Sequence, residues 1–163
     1  MTNPLEAGSA GVPVVESPPA PLELVEFSCM TGWCVSQQSS TVSGTVALRR
    51  RGATRIGQYA GVGEIDALFN ATMNAARQHS LFPNGDTPEL MDFGARALGQ
   101  GSQASAEVKI VLLYKGDYIP VRLEDANTIK GCVFAFVAAL NQLAAAPIPA
   151  AVSPSPLIWE GSD

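Results

Sequence analysis

The chain has 163 residues, of which 47% are hydrophobic and 15% are charged, with a formal net charge of −5. This length suits one domain with its own core, and it excludes a (β/α)₈ barrel of about 250 residues. One histidine and three cysteines without zinc spacing exclude a histidine-rich metal site, and the lack of an apolar run of about 20 residues excludes a membrane span.

Proline is concentrated at the two ends of the chain, with five of the 12 prolines in residues 1–21 and four in residues 147–163. Because proline-rich segments resist a packed fold, we predict disordered tails at 1–21 and 147–163 around one domain at 22–146. The domain is nearly neutral and has no clustered basic face, so no nucleic-acid partner is expected. The start of the chain lacks the basic-then-apolar order of a signal peptide, and the cysteines suit reduced, mostly buried thiols, so we expect a cytoplasmic protein.

The first half of the domain has the pattern of three strands followed by a helix. β-branched residues and stretches of period two predict strands at Leu24–Ser36, Thr41–Arg50 and Thr54–Tyr59, with a hairpin turn at Arg51-Gly52-Ala53. The period then changes, because residues 65, 68, 69, 72, 73 and 76, all apolar except Thr72, have the spacing of an amphipathic helix. We expect this helix to begin at the turn Gly61-Val62-Gly63, where glycine tolerates a positive φ.

The second half repeats this order. Its predicted strands are Leu90–Leu98, Ala104–Tyr114 and Tyr118–Leu123, and its helix runs from about Thr128 to Ala144. A hairpin is expected at Lys115-Gly116-Asp117, and either Asn127 or Thr128 can cap the helix.

The two halves are an internal duplication. A shift of 64 residues places Val46-Ala47-Leu48 on Ile110-Val111-Leu112 and Gly52 on Gly116, and the offset becomes 66 upstream of these strands. A two-residue difference in one hairpin accounts for the change of offset. The predicted fold is therefore α+β, with duplicated βββα units at about 22–80 and 88–146, pseudo-two-fold symmetry, and helices packed on antiparallel three-stranded sheets.

The stretch from Gly61 to Ala71, GVGEIDALFNA, resembles the G-x-G-x-x-D-A-L signature of the C-terminal allosteric and dimerisation domain of 2-isopropylmalate synthases. The second helix, with Ala138-Ala139-Leu140-Asn141, is similar to the alanine-rich helix that ends this domain. The resemblance covers the whole of residues 22–146. It implies a homodimer, a bound branched-chain amino acid (leucine or isoleucine), and control of a catalytic barrel. That barrel would lie on a separate synthase subunit, or this chain would be a fragment of a larger enzyme that contains it. We therefore expect no catalytic residue and no cofactor or metal in this chain.

The chemistry of an amino-acid effector agrees with the residues at the two helix starts. Unpaired backbone N–H groups there suit a carboxylate, glycine permits close approach, and Asp66 suits the ammonium group or stabilises the helix dipole. The candidate effector-binding residues are Gly61, Val62, Gly63, Ile65, Asp66, Ala67, Asn127, Thr128 and Ile129.

The second copy departs from the signature. Thr128 occupies the position of an acidic residue, and Gly131 weakens the first helical turn by up to about 1 kcal/mol relative to alanine. A dimerisation or scaffold protein that has lost effector sensing is therefore the alternative function.

Three further features have predominantly structural interpretations. We expect His79 to stabilise the end of the first helix. We expect the run Arg49-Arg50-Arg51 to be a solvated strand end, with an intersubunit contact or a contact to an acidic partner as the alternative. Phe136 belongs to the core stripe, whereas Phe134 points elsewhere and suits a subunit interface.

Overall fold

The computed structural model describes residues 20–82, 85–101 and 104–145. The elements follow in the order βββαβββα, as predicted. They are β1 (Glu23–Cys34), β2 (Ser39–Arg50), β3 (Ala53–Gly61), α1 (Glu64–Gln78), β4 (Glu89–Ala97), β5 (Ala106–Tyr114), β6 (Asp117–Asp125) and α2 (Thr128–Ala145). Apart from Ala20 and Pro21, the two predicted tails lie outside the described residues.

The strands form two separate antiparallel sheets, a first sheet of β1-β2-β3 and a second sheet of β4-β5-β6. Each sheet contains a tight hairpin turn of two residues with positive φ, Arg51-Gly52 in the first and Lys115-Gly116 in the second. Positive φ at both positions matches the right-handed twist of the flanking strands. The φ values are 52° and 78° in the first turn and 50° and 83° in the second, so the duplication extends to the backbone.

The change of offset also has a structural origin. Phe27 pairs with Val46, which is 19 residues later, whereas Phe93 pairs with Ile110, which is 17 residues later. Both copies have a register shift at the start of the first strand, after Leu24 and after Leu90. The first hairpin is therefore two residues longer than the second, as predicted.

In the first copy, α1 lies almost directly on the backbone of the first sheet. A Cβ atom at Gly57 would overlap the carbonyl oxygen of Ala71 and the amide nitrogen of Ala75, and one at Gly44 would lie 2.9 Å from the Ala67 carbonyl. Real Cβ atoms do not approach backbone so closely, and the helix presents only small residues at these points. Glycine in the sheet and alanine in the helix therefore set the distance between the two layers.

The second copy reaches the same packing with the small residue on the other side. At the offset of 64, Val108 replaces Gly44 and Gly131 replaces Ala67. A Cβ atom at Gly131 would lie 3.1 Å from Val108 Cγ2, so the glycine in α2 makes room for the valine of β5. The helix weakening expected from Gly131 is therefore only part of its effect, because Gly131 also permits close packing.

One apolar core joins the two copies. The rings of Phe69 in α1 and Phe136 in α2 meet edge to face, with centroids 5.2 Å apart. The Asn141 side chain accepts a hydrogen bond from the Leu22 N–H at 2.7 Å and donates one to the Leu22 carbonyl at 3.0 Å. As predicted, Phe136 is buried, whereas Phe134 is 41% exposed.

The arginine run contributes to the fold more than expected. Arg49 forms an ion pair with Glu23 at 2.7 Å, while Arg50 donates hydrogen bonds to the carbonyls of Ala20 and His79. The His79 ring donates to the Leu48 carbonyl at 2.9 Å, so its role is structural as predicted, but its partner is the backbone of β2 and not the end of α1. A fully solvated strand end was therefore the wrong prediction for Arg50, because the end of α1 folds back onto β2.

The face of the second sheet opposite α2 holds a buried carboxylate. Glu107 is 7% exposed, and three cations surround it: Arg96 at 3.2 Å, Lys109 at 3.4 Å and Arg122 at 4.0 Å. Burial alone would raise the pKa of Glu107, but the hydrogen bond from Lys109 and the three positive charges outweigh it and hold the pKa below its usual value.

Within the described ranges, no helix is long and apolar enough to span a bilayer.

We expect Gly57→Ala to destabilise the protein by about 3 kcal/mol, because the added methyl group has to push α1 away from the first sheet. Urea unfolding followed by circular dichroism measures this change. Gly94→Ala is the matched control, since a Cβ atom there meets no atom within 4 Å. Equal effects of the two substitutions would contradict the close contact.

Glu107→Gln should lower the melting temperature at pH 7. The pKa of Glu107 is lower in the folded state, so its carboxylate stabilises the protein above the unfolded pKa, and this contribution is lost as the pH falls through the folded pKa. The difference in melting temperature between wild type and variant should therefore shrink in acid. Glu89→Gln, at an exposed glutamate of the same sheet that pairs with Leu113, is the control. A melting-temperature difference that does not change with pH would contradict a stabilising role of the Glu107 carboxylate.

Candidate functional site

The start of α1 is uncapped. Gly63 is the N-cap residue and has extended backbone, with φ −155° and ψ 170°, and no side chain accepts a hydrogen bond from the first helical turn at this cap. The positive φ expected of the glycine turn was wrong, because the chain passes from β3 into α1 through extended backbone. The exposed amide donors of such a helix start suit an anion.

Gly61 is required for packing. A Cβ atom at this position would lie 2.5 Å from Asp66 Oδ2 and 2.8 Å from the Ala67 nitrogen. The absence of a side chain therefore lets the end of β3 lie against the first turn of α1.

Asp66 holds the turn that precedes its own helix. Its Oδ2 accepts a hydrogen bond from the Val62 N–H at 3.1 Å, and its Oδ1 accepts one from Asn70 Nδ2 at 3.0 Å. A carboxylate has about four lone-pair positions, so these bonds leave capacity for a further donor such as an ammonium group. The structural role and the proposed binding role of Asp66 are therefore compatible.

The other predicted residues of this group differ in accessibility. Val62 is 92% exposed, whereas Ala67 is fully buried against the first sheet. Ile65 is half-buried and packs against the core. The open part of the group is thus the segment from Val62 to Asp66, with Thr31 of β1 beside it, since the Thr31 hydroxyl donates to Glu64 Oε1 at 3.3 Å.

The start of α2 is closed by its own side chains. Asn127 Oδ1 accepts a hydrogen bond from the Lys130 N–H at 3.0 Å, which confirms Asn127 as a capping residue. Asp125 Oδ1 accepts from the Asn127 N–H at 2.8 Å, and Asp125 Oδ2 pairs with Lys130 Nζ at 3.4 Å. The carboxylate that an effector would bring to a helix start is thus already present in the second copy.

The two helix starts also differ in charge. The first turn of α1 contains Glu64 and Asp66, whereas that of α2 contains no acidic residue and includes Lys130. No hydrogen bond or ion pair of the described residues joins one predicted group to the other. Sequence reasoning missed Asp125 and Lys130, although the offset places Asp125 at the position of Gly61 and would have identified it.

The three thiols lie in three different environments. Burial raises the pKa of Cys132 to about 11, and burial together with the charge of Glu64 raises the pKa of Cys29. Cys34 is exposed, and hydrogen bonds from the Ser36 side chain and the Gln37 backbone lower its pKa. The expectation of mostly buried thiols was therefore wrong for Cys34, because this end of β1 extends beyond the core.

A shallow recess of about 160 Å³ lies on the second sheet, lined by Gly94, Ala95, Arg96, Glu107 and Lys109. It contains none of the predicted effector-binding residues.

Comparison with known proteins identifies related sequences over most of the chain. A family model described as the LeuA allosteric (dimerisation) domain matches residues 14–144. The 2-isopropylmalate synthase of Aquifex aeolicus (strain VF5) is 30% identical over 122 residues, which cover 75% of this chain and 21% of that enzyme. The enzyme of the same name from Bradyrhizobium sp. (strain ORS 278) is 33% identical over 122 residues, covering 75% of this chain and 21% of the relative. That of Microcystis aeruginosa is 32% identical over 123 residues, covering 75% and 20%.

The chain therefore spans about a fifth of the length of the curated relatives it matches. The matched part is the regulatory domain, and the catalytic part of these enzymes has no counterpart in the 163 residues.

The two helix starts should respond oppositely to substitution. Asn127→Ala removes the cap of α2 and should destabilise the protein by about 1 kcal/mol, whereas Gly63→Asn supplies a cap to α1 and should stabilise it by a few tenths of a kcal/mol. Urea unfolding measures both changes. A loss of stability in Gly63→Asn would show that the start of α1 has no capacity for a further acceptor.

Proposed function

The chain belongs to the LeuA allosteric (dimerisation) domain family, and from this premise we propose that it is a regulatory module that binds a branched-chain amino acid and associates as a homodimer. The family match over residues 14–144 is the observation that carries this proposal. The catalytic barrel that it regulates would lie outside these 163 residues, on a separate synthase subunit or in a longer chain that contains them. The chain itself would perform no catalysis.

The geometry supports the start of α1 as the effector site. An amino acid brings a carboxylate for the uncapped N–H groups after Gly63 and an ammonium group for the free lone pairs of Asp66. The exposed side chain of Val62 offers an apolar contact for the effector side chain. These three features match the three chemical parts of leucine or isoleucine.

The second predicted group, Asn127, Thr128 and Ile129, has a different place in this proposal. Asn127 and Asp125 already satisfy donors at the start of α2, so a ligand carboxylate has to displace them. We therefore assign the primary contacts to the first copy and leave the second group a secondary contribution.

The closed start of α2 also favours the alternative function. If a site needs both helix starts open, this chain is a dimerisation or scaffold protein without an effector. The two functions differ in one observable, since only the first predicts a response to a branched-chain amino acid.

L-leucine or L-isoleucine should raise the melting temperature of the protein by mass action. At ten times the dissociation constant the expected increase is about 5 °C. A thermal-shift titration with L-leucine, L-isoleucine, L-valine and D-leucine measures it, with light scattering to record the mass. A dimer that responds to none of them would support the scaffold function, and a monomer without response would overturn both.

Gly63→Asp tests the position of the site. The new carboxylate caps α1 and occupies the proposed place of the effector carboxylate, so the variant should be at least as stable as wild type but lose the leucine response. Asn127→Asp places a carboxylate at the start of α2. A weaker leucine response of this variant would show that the second group contributes to effector binding. Ser105→Asp, at an exposed residue of the loop before β5, is the charge control. A normal response of Gly63→Asp would place the effector elsewhere.

A further inference from the structure

The hairpin of β1 and β2 extends beyond the rest of the first sheet as an arm, which we define as residues Met30–Thr41. β3 stops pairing at the position where Gly61 faces Val42, so the arm has only two strands. All twelve of its residues are exposed, including Met30 at 72%, Trp33 at 63% and Val35 at 77%. A two-stranded ribbon with exposed apolar side chains is only marginally stable by itself, so we expect another surface to pack against the arm.

The described sheets have four edge strands, and three of them are protected against pairing. On β3, the amide side chains of α1 bind the backbone, since Asn74 donates to the Gln58 carbonyl at 2.9 Å and Gln78 donates to the Ile56 carbonyl at 2.7 Å. β4 carries the charges of Asp92 and Arg96 along its length. β6 contains Pro120, which lacks a backbone donor, between several charged residues.

The fourth edge, β1, is protected only at its beginning. Glu23 and Glu26 and the register shift after Leu24 lie in its first four residues. From Phe27 to Cys34 the strand has no charged residue and no proline. The two first strands differ at this point, because at the offset of 66 the apolar Met30 of β1 corresponds to the charged Arg96 of β4.

We propose that the β1 edge from Phe27 to Cys34 pairs antiparallel with the same edge of a second copy, which joins two first sheets into one six-stranded sheet. This inference rests on the dimerisation in the proposed function and adds the surface that forms it. With Met30 on the two-fold axis, Phe27 of one copy faces Trp33 of the other, so the pairing region has seven residues and would be about 23 Å long.

A second copy fits this edge for three reasons. Unpaired backbone donors and acceptors of an edge strand are satisfied by another strand, and antiparallel pairing makes an edge complementary to itself about a two-fold axis. The net charge of −5 makes two copies repel, and the uncharged segment is where they can approach without opposing like charges. The family to which the chain belongs is described as a dimerisation domain.

The side chains of Trp33 and Met30 become less exposed in this arrangement. They lie on opposite faces of β1, because Trp33 pairs with Ser40 and Met30 pairs with Ser43, an odd number of residues apart on each strand. Pairing of two arms therefore shields apolar side chains on both faces of the joined sheet. A covering helix or loop would protect one face only.

Met30→Lys tests the pairing, and sedimentation equilibrium measures the dimer dissociation constant. Two lysines brought together near the two-fold axis should raise this constant about tenfold or more. Met91→Lys is the matched control, since Met91 is an exposed methionine on the edge strand β4. It should leave the constant unchanged, and circular dichroism confirms that both variants are folded.

Hydrogen exchange on the wild-type chain provides a second measurement that needs no substitution. Amides of residues 27–34 should gain protection as the protein concentration rises through the dissociation constant, while those of residues 89–97 should not. If the wild type is a dimer, Met30→Lys leaves its dissociation constant unchanged, and the β1 amides gain no protection with concentration, then the edge pairing is overturned while the dimer stands. A wild-type monomer at micromolar concentration overturns the dimerisation itself, and weakening by Met91→Lys alone would assign the interface to β4.

Discussion

The contact between α1 and the backbone of the first sheet is the constraint on which the rest of the first copy depends. Glycines at 44, 57 and 61 and small residues on the facing side of α1 bring helix and sheet closer than side chains would allow. This closeness places the Asn74 and Gln78 amides within reach of the β3 carbonyls and lets Asp66 reach back to the Val62 N–H. The covered edge of β3 and the shape of the candidate site therefore both follow from one packing distance.

The two copies share the same backbone conformation but use different residues to achieve it. The hairpin turns and the register shifts repeat, yet the close helix–sheet contact uses Gly44 in the sheet of one copy and Gly131 in the helix of the other. The helix starts diverged in the same manner, from an uncapped glycine to a capping asparagine. An intramolecular cap and a ligand carboxylate satisfy the same donors, so a copy that caps itself depends less on an effector.

The division of surfaces follows from this divergence. The second sheet carries the ion pairs of the buried Glu107 on its outer face, and charged residues or proline on both of its edges. The first sheet has an arm with exposed apolar side chains and one uncharged edge. The proposed effector site lies beside that arm, because Thr31 of β1 donates to Glu64 in the first turn of α1. A ligand at α1 and a partner at β1 would therefore act on adjoining residues.

The sequence by itself determined the order of the elements, their limits to within two residues, the duplication with its two offsets, and the residues at the two helix starts. These features depend on local periodicity and turn chemistry, which act over a few neighbouring residues. Only the tertiary structure decided that Gly61 and Gly131 serve close packing, that Arg50 binds the end of α1, and that β1 alone keeps an unprotected edge among the strands described. Each of these depends on groups that are distant along the chain and meet only after folding, and no local pattern records such a contact.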